Sequence, residues 1–225
     1  MRFVLVPGAG GVAWFWHRVT PLLKAAGHDA VAVDLPGDDD KAGLDEYTEL
    51  AVAAIGGRAD TVLVAQSLAG FTAAMTSARV PLAMLVFVNA MIPEPGETPG
   101  EWWEHTNHKA ARVEAAKRGG YSPKFDVDTY FLHDVPPEVA ADGAPHQREE
   151  ADVVFTSPCR FERWPEIPIH VVGGADDRFF PIDFQKRVAR ERLGLELAVV
   201  PGGHLCALSR PRELVDHLLG LAAEL

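Results

Sequence analysis

The most informative stretch of the chain reads Thr61-Val62-Leu63-Val64-Ala65-Gln66-Ser67-Leu68-Ala69-Gly70. Its first half, Thr61–Ala65, is rich in valine and leucine and predicts a buried strand. The apolar, alanine-rich residues Leu68–Ala78 predict a helix directly after it. Ser67 therefore stands at a sharp strand-to-helix turn, which would expose its hydroxyl at the carboxyl end of the strand.

Ser67 has two interpretations at this turn. Nucleophilic serines at such turns usually lie in the pattern G-x-S-x-G, because the turn is tight and neighbouring backbone comes close. Here Ala65 and Ala69 replace both glycines, and Gly70 follows one place later. Alanine is the smallest replacement, so we expect the geometry to survive. Alternatively, Ser67 is only the N-cap of the helix that begins at Leu68, since serine is a favoured N-cap residue.

The partners that a nucleophilic serine needs follow later in the chain. A serine hydroxyl is a weak nucleophile until a base accepts its proton, and an acid fixes the tautomer of that base. The predicted strand Ile167–Val172 is followed by Asp176 and Asp177, and the predicted strand Glu196–Val200 is followed by His204. Each candidate comes just past a strand, in the chain order serine, acid, histidine. We favour Asp177 as the acid, and Asp176 remains the alternative.

The rest of the chain alternates short apolar runs with longer segments of helical periodicity. This alternation predicts an α/β domain with a mostly parallel central sheet of about six strands flanked by helices. The predicted strands are Arg2–Val6, Asp29–Val33, Thr61–Ala65, Ala83–Val88, Ile167–Val172 and Glu196–Val200. The predicted helices are Trp14–Ala26, Glu46–Ile55, Leu68–Ala78, Ile182–Leu193 and Pro211–Ala223. Residues 1–225 are expected to form one domain.

The alternation stops between Pro93 and Pro165, where prolines and aromatic residues are frequent. Two helical pieces are predicted there, at Glu101–Arg118 and Glu138–Glu150. A long insertion between two strands is often functional, so residues 93–165 are expected to form a helical cap over one edge of the sheet. Three aromatic residues are candidates for the substrate pocket: Phe71, Trp102 and Trp103.

The first turn has two possible uses. Gly8-Ala9-Gly10-Gly11-Val12-Ala13 matches the pattern G-x-G-x-x-A of dinucleotide-binding turns, and Asp34 ends the next strand where a ribose-binding acid would stand. However, bulky Trp14–Trp16 follow where a pyrophosphate needs close approach, and the Tyr-x-x-x-Lys pair of short-chain dehydrogenases is missing. The other use is an oxyanion hole, with the N–H groups of Ala9 and Leu68 as donors and Gly8 lining the substrate site.

Composition excludes several classes of protein. Of the 225 residues 48% are hydrophobic and 24% charged, a globular balance, and the net charge is −11. Such an acidic surface repels phosphate backbones, so nucleic acid is not an expected partner. No apolar run is long enough to span a membrane, and the apolar start breaks at Pro7 too early for a signal peptide. Cys159 and Cys206 fit a reducing compartment, which predicts a cytoplasmic protein.

The chain resembles the α/β-hydrolase family over nearly its full length, and within it the small branch of plant methyl esterases and hydroxynitrile lyases. The resemblance implies an α/β-hydrolase fold with Ser67, Asp177 and His204 as the catalytic triad, and the match at the acid loop selects Asp177. The residues that carry it are Phe3–Ala9, Trp14, Trp16, Pro21–His28, Asp34–Gly37, Ser67-Leu68, Val86–Ala90, Asp177, Pro181, Phe184-Gln185, His204 and Leu208–Pro211.

Two departures from the family pattern bear on the activity. The family usually has His-Gly after the first strand, where this chain has Pro7-Gly8. Because the oxyanion role uses backbone N–H groups, we expect it to persist. Hydroxynitrile lyases of this kind carry a lysine directly after the catalytic histidine, where this chain has Leu205. A lyase would lack the group that stabilises cyanide, so the resemblance favours ester hydrolysis.

The sequence thus predicts a cofactor-free serine hydrolase that cleaves a small-molecule carboxylic ester through an acyl-enzyme. No metal is expected, because no pair of histidines has ligand spacing. The alternatives are a receptor-like ligand-binding module on the same fold, a hydroxynitrile lyase and a nucleotide-binding oxidoreductase. The sequence is compatible with a homodimer.

Overall fold

The computed structural model describes residues 1–225, and at its centre is a sheet of six parallel strands. The strands are β1 (Arg2–Val6), β2 (Asp29–Ala32), β3 (Thr61–Gln66), β4 (Met84–Val88), β5 (Ile169–Gly174) and β6 (Leu197–Val200). The predicted parallel sheet is confirmed, and each strand boundary lies within two residues of the expected one. The largest shift is at β5, where Pro168 has no N–H for the ladder and the strand begins at Ile169.

The strand order β2-β1-β3-β4-β5-β6 places β3 between β1 and β4. The direction of winding reverses between β1 and β3, and ligands of open parallel sheets bind at such switch points, beyond the carboxyl ends of the strands. Val6 at the end of β1 is the register partner of Ala65 in β3. The loop after β1 and the turn that holds Ser67 therefore emerge side by side.

Helices cover both faces of the sheet. The helices of the whole chain are α1 (Thr20–Ala25), α2 (Leu44–Ile55), α3 (Ala69–Ser77), α4 (Pro99–His105), α5 (His108–Gly119), α6 (Pro137–Gly143), α7 (Asp152–Thr156), α8 (Ile182–Leu193), α9 (Cys206–Ser209) and α10 (Pro211–Ala222). Short 3₁₀ turns occur at Ala13–Trp16 and Ala144–His146, and one π turn at Asp128–Leu132. None of these helices combines the length and the apolar character that crossing a bilayer would require.

The prediction of a single helix at Trp14–Ala26 is wrong, because the structure has two separate helical pieces there. A 3₁₀ turn ends at Trp16, and α1 begins only at Thr20. Pro21 lies in the first turn of α1 and lacks the N–H that a continuous helix would need at that point. Proline therefore restarts the helix, and the Trp16 side chain is fully buried in the core between the two pieces.

Helices α4 to α7 lie between β4 and β5, in a segment that we call the inserted segment (residues 93–165). The first helical piece expected there, Glu101–Arg118, is broken between α4 and α5, where Asn107 has a left-handed φ of 52°. The second, Glu138–Glu150, is also interrupted, since α6 ends before Pro145, which cannot donate to a helical ladder.

The side chains of β3 pack on both faces of the sheet. Leu63 and Ala65 belong to the apolar cluster beneath α2, α3 and α8. Val62 and Val64 belong to the cluster on the opposite face, beneath α1 and α10. Burial on both faces is why this strand is apolar throughout instead of alternating. It also makes β3 a rigid base for the turn that follows.

Candidate active site

Ser67 lies in the turn between β3 and α3 with a strained backbone. Its φ of 54° falls in the left-handed region that residues other than glycine rarely adopt. Its carbonyl accepts hydrogen bonds from the N–H groups of Gly70 (3.2 Å) and Met91 (3.0 Å), which hold the turn closed. The hydroxyl does not cap α3, because the start of that helix has no side-chain cap bond. Strain of this kind clusters at functional sites.

Gly70 is the position in this turn that cannot hold a side chain. A Cβ atom there would lie 1.7 Å from the carbonyl oxygen of Met91. Ala65 and Ala69, at the two glycine positions of the G-x-S-x-G pattern, are buried and accommodated. The position of this turn that requires glycine is therefore Gly70, one residue after the second glycine position of the pattern.

His204, in the loop between β6 and α9, faces Ser67. Its Nε2 lies 3.1 Å from the Ser67 Oγ, and its Nδ1 lies 2.8 Å from the Asp177 Oδ2. The imidazole and the carboxylate are both almost completely buried. The three side chains form one hydrogen-bonded series in which a base touches the hydroxyl and an acid touches the base, the arrangement that activates a serine.

Asp177 is held in the loop after β5 by hydrogen bonds to both carboxylate oxygens. Its Oδ1 accepts the backbone N–H groups of Phe179 and Phe180, each at 2.8 Å. Its Oδ2 also accepts the Gln185 side-chain amide at 3.2 Å. Asp176 is exposed and makes no hydrogen bond to His204. The structure therefore brings Asp177, and not Asp176, into contact with the histidine.

Asn89 supports the histidine loop, and sequence reasoning missed it. Its side-chain amide donates to the carbonyls of Gly203 and His204, each at 3.1 Å. Its Oδ1 accepts the N–H of Gly174 at the end of β5. It is fully buried, with a left-handed φ of 46°. A polar residue directly after the apolar strand β4 was the available signal.

Among the N–H groups of Gly8, Ala9, Gly10 and Gly11 in the loop after β1, one has no protein acceptor. The Gly8 N–H donates to the Gln66 side-chain oxygen at 3.1 Å, and the Gly10 and Gly11 N–H groups are also bonded. The Ala9 N–H makes no hydrogen bond within the protein, and neither does the N–H of Leu68, directly after Ser67. A Cβ atom at Gly8 would lie 2.7 Å from the Ser67 Cβ, so the loop approaches the serine closely.

Ser67 and His204 open into a cavity of about 320 Å³. Its walls come from the loop after β1, from the inserted segment and from α9 with the residue after His204. The apolar lining residues are Pro7, Ala9, Val12, Trp14, Phe15, Val127, Phe131, Leu132, Val139, Ala140, Leu205 and Leu208. The polar and charged ones, besides Ser67 and His204, are Gln66, His146, Gln147, Arg148 and Glu150. This is a largely apolar site with few polar groups, which is typical of small-molecule pockets.

The aromatic residues predicted to line the pocket lie elsewhere, so that prediction is wrong. Phe71 and Trp102 are fully buried in the core, and neither they nor Trp103 line the cavity. The Trp102 indole N–H donates to the carbonyl of Ile92, and its ring packs on Phe180. These rings hold the inserted segment on the sheet. Gly8, by contrast, does line the cavity.

Cys206 lies two residues from His204 but is not suited to act as a nucleophile. Burial raises the pKa of its thiol to about 12, which keeps the sulfur protonated. The thiolate is the nucleophilic form of cysteine. Burial also raises the pKa of the Cys159 thiol. Neither thiol is therefore suited to attack a substrate, whereas the Ser67 hydroxyl lies 3.1 Å from the His204 imidazole.

Asp34 is the residue that a nucleotide-binding turn would use to bind a ribose. Both of its carboxylate oxygens are hydrogen-bonded to other residues of the protein. Its Oδ1 accepts the N–H of Ala13 at 2.9 Å, and its Oδ2 pairs with Arg148 at 3.3 Å. Trp14 and Phe15 fill the cavity wall next to the first turn. Gly8 and Gly10 of this turn line the apolar cavity that holds Ser67, an arrangement that does not favour a pyrophosphate.

The fold and the arrangement around Ser67 define an α/β hydrolase. A profile of the alpha/beta hydrolase family matches residues 3–217, and the chain belongs to this family.

Relatives in sequence include plant esterases. The chain is similar to polyneuridine aldehyde esterase from Rauvolfia serpentina, with 25% identity over 252 aligned positions that cover 98% of this chain and 95% of that protein. It is 33% identical to methylesterase 3 from Arabidopsis thaliana over 141 positions, which cover 57% of this chain and 54% of that protein.

Solved structures share the fold. A methylesterase from Arabidopsis superposes with a TM-score of 0.80 at 21% identity, covering 100% of both chains. A pyrethroid hydrolase from Sphingobium faniae JZ-2 gives a TM-score of 0.77 at 24% identity, covering 99% of this chain and 97% of that one.

Proposed function

We propose that the protein is a serine hydrolase that cleaves small, largely apolar carboxylic esters. The observation that carries this proposal is the hydrogen-bonded series Ser67–His204–Asp177 at the edge of an apolar cavity. The named esterases among the relatives support the same class of reaction.

In the first half of the reaction, Ser67 Oγ attacks the acyl carbon while His204 Nε2 accepts its proton. Asp177 holds the imidazole in the tautomer with a proton on Nδ1 and stabilises the imidazolium that forms. The negative charge on the carbonyl oxygen is bound by the N–H groups of Ala9 and Leu68, which have no other acceptor. His204 then gives its proton to the leaving alcohol, and an acyl-enzyme remains.

In the second half, water enters and attacks the acyl-enzyme. His204 accepts a proton from this water, and the same two N–H groups bind the oxyanion again. Collapse of the tetrahedral intermediate returns the proton to Ser67 and releases the carboxylic acid. The three side chains that move or stabilise the proton, Ser67, His204 and Asp177, are already within hydrogen-bond distance of one another.

The cavity bears on the class of substrate. Its apolar walls suit an uncharged acyl or alkyl group, and its volume of about 320 Å³ is at the small end of ligand pockets. Leu205 lines the cavity directly after His204. This position directly after His204 therefore offers no cation to a cyanide leaving group, which favours hydrolysis over carbon–carbon lysis.

The test compares the wild type with Ser67→Ala and a control variant, Ser77→Ala. Ser77 is a buried serine of α3 whose hydroxyl donates only to the carbonyl of Ala74. Hydrolysis of p-nitrophenyl acetate and butyrate is measured, with intact mass after treatment with a fluorophosphonate. We expect turnover and a single adduct for the wild type and for Ser77→Ala, and neither for Ser67→Ala. A folded wild type that gives no adduct would overturn the proposal and favour the receptor-like ligand-binding module.

A further inference from the structure

The loop after β1 is held from the outside by Glu150 of the inserted segment. Its Oε2 accepts the N–H of Gly10 at 2.5 Å. Its Oε1 accepts the hydroxyl of Tyr47, from α2, at 2.5 Å. Tyr47 is almost fully buried, and Glu150 is partly buried and lines the cavity beside Ser67. One carboxylate therefore joins α2, the inserted segment and the loop after β1.

The N–H group of Ala9 lies between N–H groups that are already hydrogen-bonded. Of four consecutive N–H groups, that of Gly8 is bonded to Gln66, that of Gly10 to Glu150 and that of Gly11 to the carbonyl of Gly8. The N–H of Ala9 alone has no acceptor. The peptide unit that carries this N–H thus lies between two peptide units whose orientations are fixed by side-chain acceptors.

The backbone around Glu150 packs closely on the backbone around Gly10. Gly10 has a φ of 83°, and a Cβ atom there would lie 2.5 Å from the carbonyl oxygen of Arg148. The Arg148 guanidinium donates to the carbonyl of Leu35, and the Leu35 N–H donates to Gly11 at 2.7 Å. Ala151, next to Glu150, donates its N–H to the carbonyl of Gly37 at 2.6 Å. Residues 148–151 therefore contact both Gly10 and the neighbouring loop after β2.

We propose that Glu150 is a positioning residue, which holds the Ala9 N–H in the direction where the oxyanion forms. This inference rests on the proposed function, because it assigns Glu150 a part in that reaction. Donors aimed at a developing charge are effective only when their orientation is fixed before the reaction. Gln66 fixes the peptide unit before that of Ala9, and Glu150 fixes the one after it. The hydrogen bond between Glu150 and Gly10 thereby links the inserted segment to catalysis.

The surroundings of Glu150 suit a structural carboxylate that stays in place. Burial raises its pKa, whereas the hydrogen bonds from Tyr47 and Gly10 and the charge of Arg148 act in the opposite direction. Burial and the Glu150 carboxylate likewise raise the pKa of Tyr47, so its hydroxyl remains a donor. The guanidinium of Arg148 is also paired with Asp34 and Asp38.

Replacement of Glu150 should affect kcat far more than KM. A misplacement of a catalytic group by about 1 Å costs roughly 100-fold in rate, so we expect Glu150→Ala to lower kcat by about that factor with KM changed less than about twofold. Glu150→Gln keeps one acceptor oxygen and should lose only about tenfold. The rate of phosphonylation by a fluorophosphonate should fall in parallel, since that reaction uses the same N–H donors.

The experiment measures kcat, KM and the phosphonylation rate for the wild type, Glu150→Ala, Glu150→Gln and the control Glu149→Gln. Glu149 is adjacent and exposed and makes no side-chain hydrogen bond within the protein, so its variant should behave as the wild type. The amide proton of Gly10 is followed by NMR in the same proteins. It should resonate far downfield in the wild type and in Glu149→Gln, and move upfield in Glu150→Gln.

The outcomes separate the two proposals. An inactive wild type would overturn the proposed function and, with it, the positioning role of Glu150. An active wild type with unchanged kcat in Glu150→Ala, or an equal loss in Glu149→Gln, would overturn the positioning role alone. A loss confined to KM would also overturn it, because an oxyanion donor acts in the transition state.

Discussion

Phe131 of the inserted segment stacks on the imidazole of His204, with ring centroids 5.0 Å apart and planes inclined by 20°. Phe180 meets the same imidazole edge-on at 5.0 Å, and Phe179 does so at 5.2 Å. The base is therefore enclosed by three aromatic rings, and its two nitrogens remain for Ser67 and Asp177. A ring held in this way has little freedom to turn out of the hydrogen-bonded series.

Phe131→Leu should lower kcat/KM for p-nitrophenyl butyrate by about two- to twelvefold, which corresponds to the roughly 0.5–1.5 kcal/mol of an aromatic pair. Leucine keeps an apolar wall in the cavity but removes the stacked face that fixes the imidazole. Phe125, which contacts Phe131 but does not line the cavity, offers the control Phe125→Leu. An equal effect of both variants would mean that general packing, and not the stack on His204, is responsible.

Asp177→Asn should lower kcat by about 10⁴-fold while the protein stays folded, because an amide in place of Oδ2 no longer favours the imidazole tautomer with a proton on Nδ1. Asp176→Asn should leave kcat within about twofold, since that carboxylate is exposed and makes no hydrogen bond to His204. Steady-state kinetics and circular dichroism of both variants check this. A severe loss in Asp176→Asn would refute the assignment of the acid.

The sequence was sufficient for the sheet and for the candidate reacting groups. Both depend on local signals, namely apolar runs ended by prolines and glycines, and polar residues placed directly after them. Ser67, Asp177 and His204 each follow a strand, so parallel strands bring them to one edge whatever the details of packing. The alternative Asp176 differs by one position, and the direction of the loop after β5 settles which carboxylate faces the histidine.

The pocket could not be predicted in the same way. Trp102 and Trp103 belong to the inserted segment, and their sequence gives no sign of which face meets the sheet. In the structure they pack around Phe180, while the less conspicuous Phe131 and Val139 line the cavity. Contacts between residues far apart in the chain decide this, and a single sequence does not contain them.

Gly70→Ala should destabilise the protein by about 3 kcal/mol, the upper range for overpacking, because its Cβ would lie 1.7 Å from the Met91 carbonyl oxygen. Gly220, in α10, is a matched control, since a Cβ there meets no atom within 4 Å. Gly220→Ala should stabilise the protein by about 0.5–1 kcal/mol through helix propensity. Urea unfolding of both variants measures the difference. Equal effects at the two positions would contradict the close approach at the turn.

The stability of the protein should fall as the pH is lowered from about 6.5 to 4, in part because of His108. Burial lowers the pKa of His108 to about 4, although the carbonyl of Phe179, 2.7 Å from its Nε2, acts in the opposite direction. The unfolded state, with a histidine pKa of about 6.5, binds the extra proton in this window, so the free energy of unfolding decreases.

The contribution of His108 at pH 4.5 should be about 2 to 3 kcal/mol, at about 1.4 kcal/mol for each unit of pKa. His108→Gln keeps a donor for the carbonyl of Phe179 but does not titrate. Burial also lowers the pKa values of His133 and His217, but these histidines and the carboxylates are shared by both proteins and cancel in the comparison. Denaturant unfolding at pH 7.5 and 4.5 should therefore show a smaller loss in His108→Gln than in the wild type. Equal losses in the two proteins would mean that His108 accepts its proton without leaving the folded core.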